Sequence, residues 1–393
     1  MATVLPNLIA FDRECLLFAK EETTFGTEIK PTAADQVLIA GDGSMSQARG
    51  YITDAQRRDT LSQITRIAGR FEPGTCSLPV YLKPSGVLGT KPEGAALLKA
   101  LFGREVVTAS TKVEYFLLRL IDTRPGLTLW LKKGHTVFRG IGCIINEGRF
   151  PLRAGNQDDA VGQVAYSGLI GEVRWTGTDE LAANAASAAT SLTVKDAKKF
   201  TVGSYIKVAA NDNGGAGYQV TAVNIGSNLL TITPGLTGAQ STDDVVSPWL
   251  PTGSELGSPV HGRLGLATRG GVTLPLTGGE MVLRNNIKFL NEEKNGLDFP
   301  TRFVHGQARQ VDVNAEVYFD ANQSRFFHDA QQTVRADVAF PWGNTPAFRY
   351  TLTAKNVEIN PPELSGNEEK ILRLNGQAFA SAIFDDELVM LFN

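Results

Sequence analysis

Apolar and polar positions alternate most cleanly over residues 311–319. Val311, Val313, Ala315, Val317 and Phe319 fall on one side, and Asp312, Asn314, Glu316 and Tyr318 on the other. A period of two predicts a strand in a sheet with one buried face and one polar face. Runs rich in Val, Ile, Phe and Trp at 112–121, 127–132 and 137–145 predict further strands. Helical spacing is brief by comparison. Leu97, Leu98, Leu101 and Phe102 recur on one face, with Pro92 suited to a first helical position and Glu93 to the positive end of the helix dipole. Gly103 can end that helix in a left-handed conformation. A second short helix is expected at about 322–332, where Phe326-Phe327 and Ala330 follow Leu97-Leu98 and Leu101 by 229 positions.

The second half of the chain thus repeats the order of the first: strand, short helix, several strands and an acidic turn. Identities accompany the order. Gly69, Val80 and Tyr81 return 237 positions later as Gly306, Val317 and Tyr318. Phe138-Arg139 returns at Phe348-Arg349, 210 positions on, and Glu147, Pro151, Gly155 and Asn156 return 211 positions on. Gly162-Gln163 returns as Gly376-Gln377 after 214. Between the copies the composition changes. Ala182 to Ala189 resembles a linker, and four short strand-like runs follow at 191–194, 204–208, 218–223 and 229–233, separated by Gly-, Asn- and Asp-rich turns. They predict a small β-barrel or sandwich inserted at a surface loop.

The expected fold is mainly β: two duplicated β-sandwich or barrel domains, each with one short helix, plus a small inserted β domain. The boundaries expected are 1–36 for an N-terminal arm, 37–176 for the first copy and 177–251 for the insert. A connector at 252–280 and a second copy at 281–393 complete the chain. Forty glycines and eighteen prolines suit such a turn-rich β protein. A net charge of −3, with no block of basic residues, supplies no electrostatic reason to grip nucleic acid. Cys15, Cys76 and Cys143 are too few and too scattered for a disulfide framework and fit a reducing cytoplasm. No stretch approaches the twenty or so apolar residues of a membrane helix.

Chemistry is hard to find in the pattern. His135, His261, His305 and His328 have no metal-ligand spacing, and no HExxH occurs. Gly41-Asp42-Gly43-Ser44 lacks the third glycine of a dinucleotide loop, and Asn211-Asp212-Asn213-Gly214-Gly215 lacks the rest of a calcium loop. The acidic pairs Asp158-Asp159, Glu368-Glu369 and Asp385-Asp386 read as solvated or interface turns, not as an acid–base pair across one cleft. No enzyme, cofactor or metal is expected.

The run Val311 to Phe319 with its helix, then Phe348-Arg349-Tyr350-Thr351-Leu352-Thr353-Ala354, the Gly366-Asn367-Glu368-Glu369 turn and Leu374-Asn375-Gly376-Gln377, resembles the tail tube proteins of long-tailed, non-contractile bacteriophages. The resemblance implies a structural virion protein. Two fused tube domains imply trimeric, pseudo-hexameric rings that stack into a hollow tail tube, with the insert decorating the outside. Implied partners are further copies of the chain, the tape measure protein, and tail-tip and tail-terminator proteins. DNA is implied only as non-specific cargo during ejection. Assembly in the bacterial host cytoplasm and a place in the virion tail follow, with no membrane partner. The alternative is another virion ring protein, from the tail tip or the capsid surface. Asp158, Asp159, Asp312, Asn314, Glu316, Glu368 and Glu369 are the residues expected at the lumen or the ring-to-ring contact.

Overall fold

The computed structural model describes residues 14–53, 65–119, 123–153, 160–292, 296–366, 368–381 and 384–393, and within them the chain is mainly β with two short α-helices. The first half contains β1 (Cys15–Glu21), β2 (Gln36–Val37), β3 (Ser44–Ser46), a hairpin of β4 (Arg49–Thr53) and β5 (Arg66–Phe71), and β6 (Gly74–Tyr81). Helix α1 (Ala95–Phe102) follows, then a hairpin of β7 (Gly103–Thr108) and β8 (Lys112–Leu117), β9 (Leu127–Lys133), β10 (Thr136–Pro151) and β11 (Gln163–Thr176). The intervening small unit holds β12 (Asp179–Glu180), β13 (Ser191–Thr193), β14 (Tyr205–Val208), β15 (Tyr218–Asn224), β16 (Leu229–Thr233) and β17 (Val245–Pro248). The second half begins with β18 (Thr268–Arg269), β19 (Val272–Thr273), β20 (Leu276–Arg284), a hairpin of β21 (Ile287–Phe289) and β22 (Phe303–His305), and β23 (Gln310–Tyr318). It ends with α2 (Arg325–Gln331), β24 (Ala336–Trp342), β25 (Tyr350–Ile359), β26 (Glu363–Ser365), β27 (Ile371–Gln377) and β28 (Leu388–Phe392).

Pairing makes the parallel between the halves concrete. In the first, β1 pairs β9, β9 pairs β10, β10 pairs β11 and β11 pairs β6. The segment leaving β2 then crosses back to β6, where Tyr81 donates its N–H to the Leu38 carbonyl. In the second, β18 pairs β24, β24 pairs β25, and β27 pairs both β25 and β23. There Tyr318 donates its N–H to the Pro275 carbonyl. Tyr81 faces Gln163, and Tyr318 faces Ile371. The matches at 237 positions therefore fall on equivalent points of the pairing.

The matches at 211 and 214 positions do not. Gly376 has its counterpart in Gly168, not Gly162. A Cβ on Gly168 would meet the Ile144 carbonyl at 2.8 Å, and one on Gly376 would meet the Glu358 carbonyl at 2.6 Å. Glu358 likewise occupies the place of Ile144, since Ile144 faces Leu169 and Glu358 faces Gln377, each one residue beyond its glycine.

One apolar cluster runs through both halves, from Leu17 and Leu78 through Leu97 and Leu101 to Val313, Leu352 and Met390. The clean alternation at 311–319 ends up as expected, with Val311, Val313, Ala315 and Val317 buried. Gly103 does end α1, at φ 108°. The start of α1 differs from expectation. Gly94 occupies the cap, and the buried Glu93 binds the Lys83 ammonium at 2.8 Å and accepts N–H groups from Leu38 and Leu256. This carboxylate ties strand, helix and returning connector together.

Three further expectations are corrected. The segment read as an arm carries β1, which pairs with β9 along its whole length. The segment read as a connector carries β18, β19 and the start of β20. Ala182 to Ala189 is no linker, because Ala185 is buried and its N–H donates to Gln240 while Ala188 donates to Leu236. The small unit forms a six-stranded sheet around its own core, closed by the Leu181–Val194 bridge.

Two strand pairs join the halves. β10 pairs β20 through Glu147–Pro151 and Glu280–Arg284, and β28 pairs β8. The first makes one continuous eight-stranded order: β3, β6, β11, β10, β20, β23, β27, β26.

Candidate functional site

The back of this eight-stranded sheet lies on the core, so alternate side chains must point the other way. On β3, β6 and β11 that polar face carries Ser44, Ser46, Thr75, Ser77, Gln163 and Ser167 and no charge. On β10, β20, β23 and β27 it carries Glu147, Arg149, Glu280, Arg284, Asp312, Glu316 and Arg373. Four carboxylates and three guanidinium groups alternate across the strands. Arg149 binds Glu147 at 2.6 Å and approaches Glu280 at 3.7 Å. Arg284 binds Glu147 at 3.2 Å and also Asp312, and Arg373 binds Glu316 at 3.1 Å. The hydrogen bond and charge of Glu147 hold Arg149 above the usual arginine range. Every charge in the ladder has an opposite neighbour, so the face presents little net field. Each of the three guanidinium groups of the ladder is thus already paired with a carboxylate.

Asp312, Asn314 and Glu316 share this face, with Asn314 set between Glu280 and Asn375. Glu368 and Glu369 do not join them. They occupy the exposed turn between β26 and β27, beyond the Tyr318 end of β23, which itself lies roughly 20 Å from Asp312 at strand spacing. Asp158 and Asp159 lie outside the described residues. Sequence reasoning missed Glu147, Arg149, Glu280, Arg284 and Arg373 as members of the face. A signal was there, because Glu147 and Arg149 are spaced by two, as are Arg373, Asn375 and Gln377.

A second polar assembly fixes the small unit to the first half. Arg139, fully buried, binds Glu28 at 2.6 Å and Thr201 at 2.7 Å. Burial pushes the Glu28 carboxyl up, against the pull of Arg139, and the same burial lowers Arg139. Lys30 lies 4.6 Å from the Tyr205 ring centroid and 4.2 Å from that of Trp249, a paired cation–π contact. Phe18, Trp130 and Val137 pack beneath Tyr205.

Little else has chemical potential. Among the described residues no three His, Cys, Asp or Glu side chains are grouped to hold a metal, and no helix is long and apolar enough to cross a membrane. Cys76 and Cys143 are buried with their sulfurs 3.7 Å apart, and the hydrogen bond between them, with burial, pushes the Cys143 thiol well up. Cys143 is therefore not poised to react as a thiolate.

A family model described as phage tail tube protein matches residues 13–378 of the chain. No curated protein matches it.

Proposed function

Because the chain belongs to the phage tail tube protein family, we propose that three copies close into a ring, each supplying two similar wedges, and that the rings stack into the tube. The supporting observation is the β10–β20 pairing, in which the first half hands its sheet directly to the second. Two four-stranded units, β3-β6-β11-β10 and β20-β23-β27-β26, stand side by side, and among the described residues each end of the order is an unpaired edge. A sheet edge invites another strand. A head-to-tail contact that closes by rotation satisfies every edge, and one repeated by translation builds the filament.

Three times these eight strands, at about 4.8 Å per strand and tilted by about 40° as closure requires, gives a wall of about 150 Å in circumference and about 48 Å across the backbone. With about 5 Å of side chain on either side, the bore is about 38 Å, enough for several helices of about 10–12 Å. In this reading the polar face lines the bore, with Asp312, Asn314 and Glu316 in the lumen. The Glu368-Glu369 turn lies at the ring-to-ring contact. Residues 14–176 and 268–393 are the two tube units, and the small unit at 177–251 decorates the outside. The tube encloses the tape measure protein, is bounded by tail-tip and terminator proteins, and conducts DNA without catalysis. It assembles in the host cytoplasm into the virion tail.

Electron microscopy of the purified protein across a concentration series tests this. Hollow tubes or stacked rings with three outer knobs are expected. Closed rings that never stack would move the assignment to a tail-tip or decoration protein, and sixfold rings would overturn the two-wedge count.

A further inference from the structure

The internal junction also predicts how the open edges meet. Met281 on β20 faces Val313, and Met45 on β3 faces Cys76, residues 237 positions apart. Ser44, Met45 and Ser46 therefore occupy the places of Glu280, Met281 and Val282. At the other end, Ile371 holds the place of Gln163, so Arg373 holds that of Ala165. Arg149 faces Ala165, and Glu363 faces Arg373. Glu363, Leu364 and Ser365 thus occupy the places of Arg149, Phe150 and Pro151.

Burial at these matched positions differs in a telling way. Phe150 is 2% exposed and Met281 0%, because β10 and β20 cover each other. Leu364 is 50% exposed, and Met45 is only partly buried against the core. Among the described residues β26 pairs only with β27, and β3 only with β6. Each edge lacks the strand that its counterpart has.

Resting on the ring reading above, we infer that β26 of one copy pairs antiparallel with β3 of the next, in one register. Glu363 faces Ser46, Leu364 faces Met45, and Ser365 faces Ser44. The occupant of each edge is a second copy of this chain. The geometry follows from Arg149–Val282, Phe150–Met281 and Pro151–Glu280, the pairs seen inside the chain. Leu364 and Met45 then bury each other as Phe150 and Met281 do. Unlike the internal junction, this one has no ladder of ion pairs, since three of its four polar-face residues are serines.

Cysteine pairs in the full-length chain test the register. Residues directly opposite on antiparallel strands sit within disulfide reach, whereas diagonal neighbours are about 7–8 Å apart. The in-register variants are Ser46→Cys with Glu363→Cys, and Ser44→Cys with Ser365→Cys. The diagonal control is Ser44→Cys with Glu363→Cys. After mild oxidation and non-reducing denaturing electrophoresis, at least one in-register pair should give tenfold more covalent trimer than the diagonal pair. Wild-type rings of threefold symmetry with cross-linking only in the diagonal pair, or in neither, would overturn the register and leave the ring standing. A wild type that forms no rings would overturn the ring and the register with it. Leu364→Asp gives a second readout: it should abolish rings while leaving the melting of the free chain unchanged. Undiminished ring yield from that variant would also overturn the inference.

Discussion

The polar face of one continuous sheet divides into two parts of different chemistry. β3, β6 and β11 present hydroxyls and an amide, whereas β10, β20, β23 and β27 present seven charges, each with an opposite neighbour. The charges gather where the first half meets the second. Arg149–Glu280 and Arg284–Glu147 both cross the β10–β20 boundary. A boundary inside one chain can be made permanent by ion pairs in addition to sheet hydrogen bonds. In the proposed ring a boundary between copies has to form on cue, and the edges assigned to it carry mostly serine. In the proposed ring, carrying both units in one chain is what would let these two boundaries diverge.

The sharpest test contrasts Phe150 with Leu364. Phe150→Ala should destabilise the free chain by about 3–5 kcal/mol, while Leu364→Ala should stay within about 0.5 kcal/mol; urea unfolding below the assembly concentration measures both. Equal losses would break the comparison. Turning the charged part of the face basic comes next. Asp312→Lys with Glu316→Lys should slow DNA ejection several-fold at low salt, with recovery as salt rises, because counterion release then favours DNA on the wall. Normal ejection at every salt concentration would remove this face from the bore.

Smaller effects probe the ladder itself. Arg284→Ala leaves Glu147 and Asp312 without their shared cation. A loss of about 1 kcal/mol is expected at low ionic strength, screened away near about 1 M salt, while Ser77→Ala in the neutral part should cost almost nothing. The smallest effect lies off the face. Burial raises the Asp337 carboxyl, but its bonds to Lys355 and the Asn356 N–H outweigh that and hold it below its ordinary value. Its contribution is therefore fully present above its ordinary value and is lost as pH falls from that value through the lowered one. Asp337→Asn should narrow the stability difference between about pH 7 and pH 3 by a few tenths of a kcal/mol.

Much of this was legible in the sequence where one face of a strand is wet. β23 and the strands of the small unit show their period because water touches one side. β1 was missed because Leu17 and Ala19 face the barrel core while Phe18 packs on Trp130 and Val137, so three consecutive residues are buried and no alternation survives. Ala182 to Ala189 looked like a linker because small residues suit both loose chain and close packing. The displaced Gly-Gln match has a physical reason too. Gly168 and Gly376 are required by a carbonyl passing over each, a constraint of register that sequence identity does not report. The alternation makes Asp312, Asn314 and Glu316 legible as one face of β23, but Arg284 and Arg373, which pair with Asp312 and Glu316, sit on other strands, 28 and 57 positions away.

The pairing of β8 with β28 sets a timetable. Residues 117 and 388 are 271 positions apart, so at roughly 5–20 residues per second β8 emerges roughly 15–55 s before the strand that will cover its edge. Throughout that interval a strand bearing Val113, Tyr115 and Leu117 waits half-finished in a crowded cell. Arg104 and Glu105 on its hairpin neighbour, with Lys112 and Glu114 on β8 itself, are the residues placed to discourage the wrong neighbour while it waits.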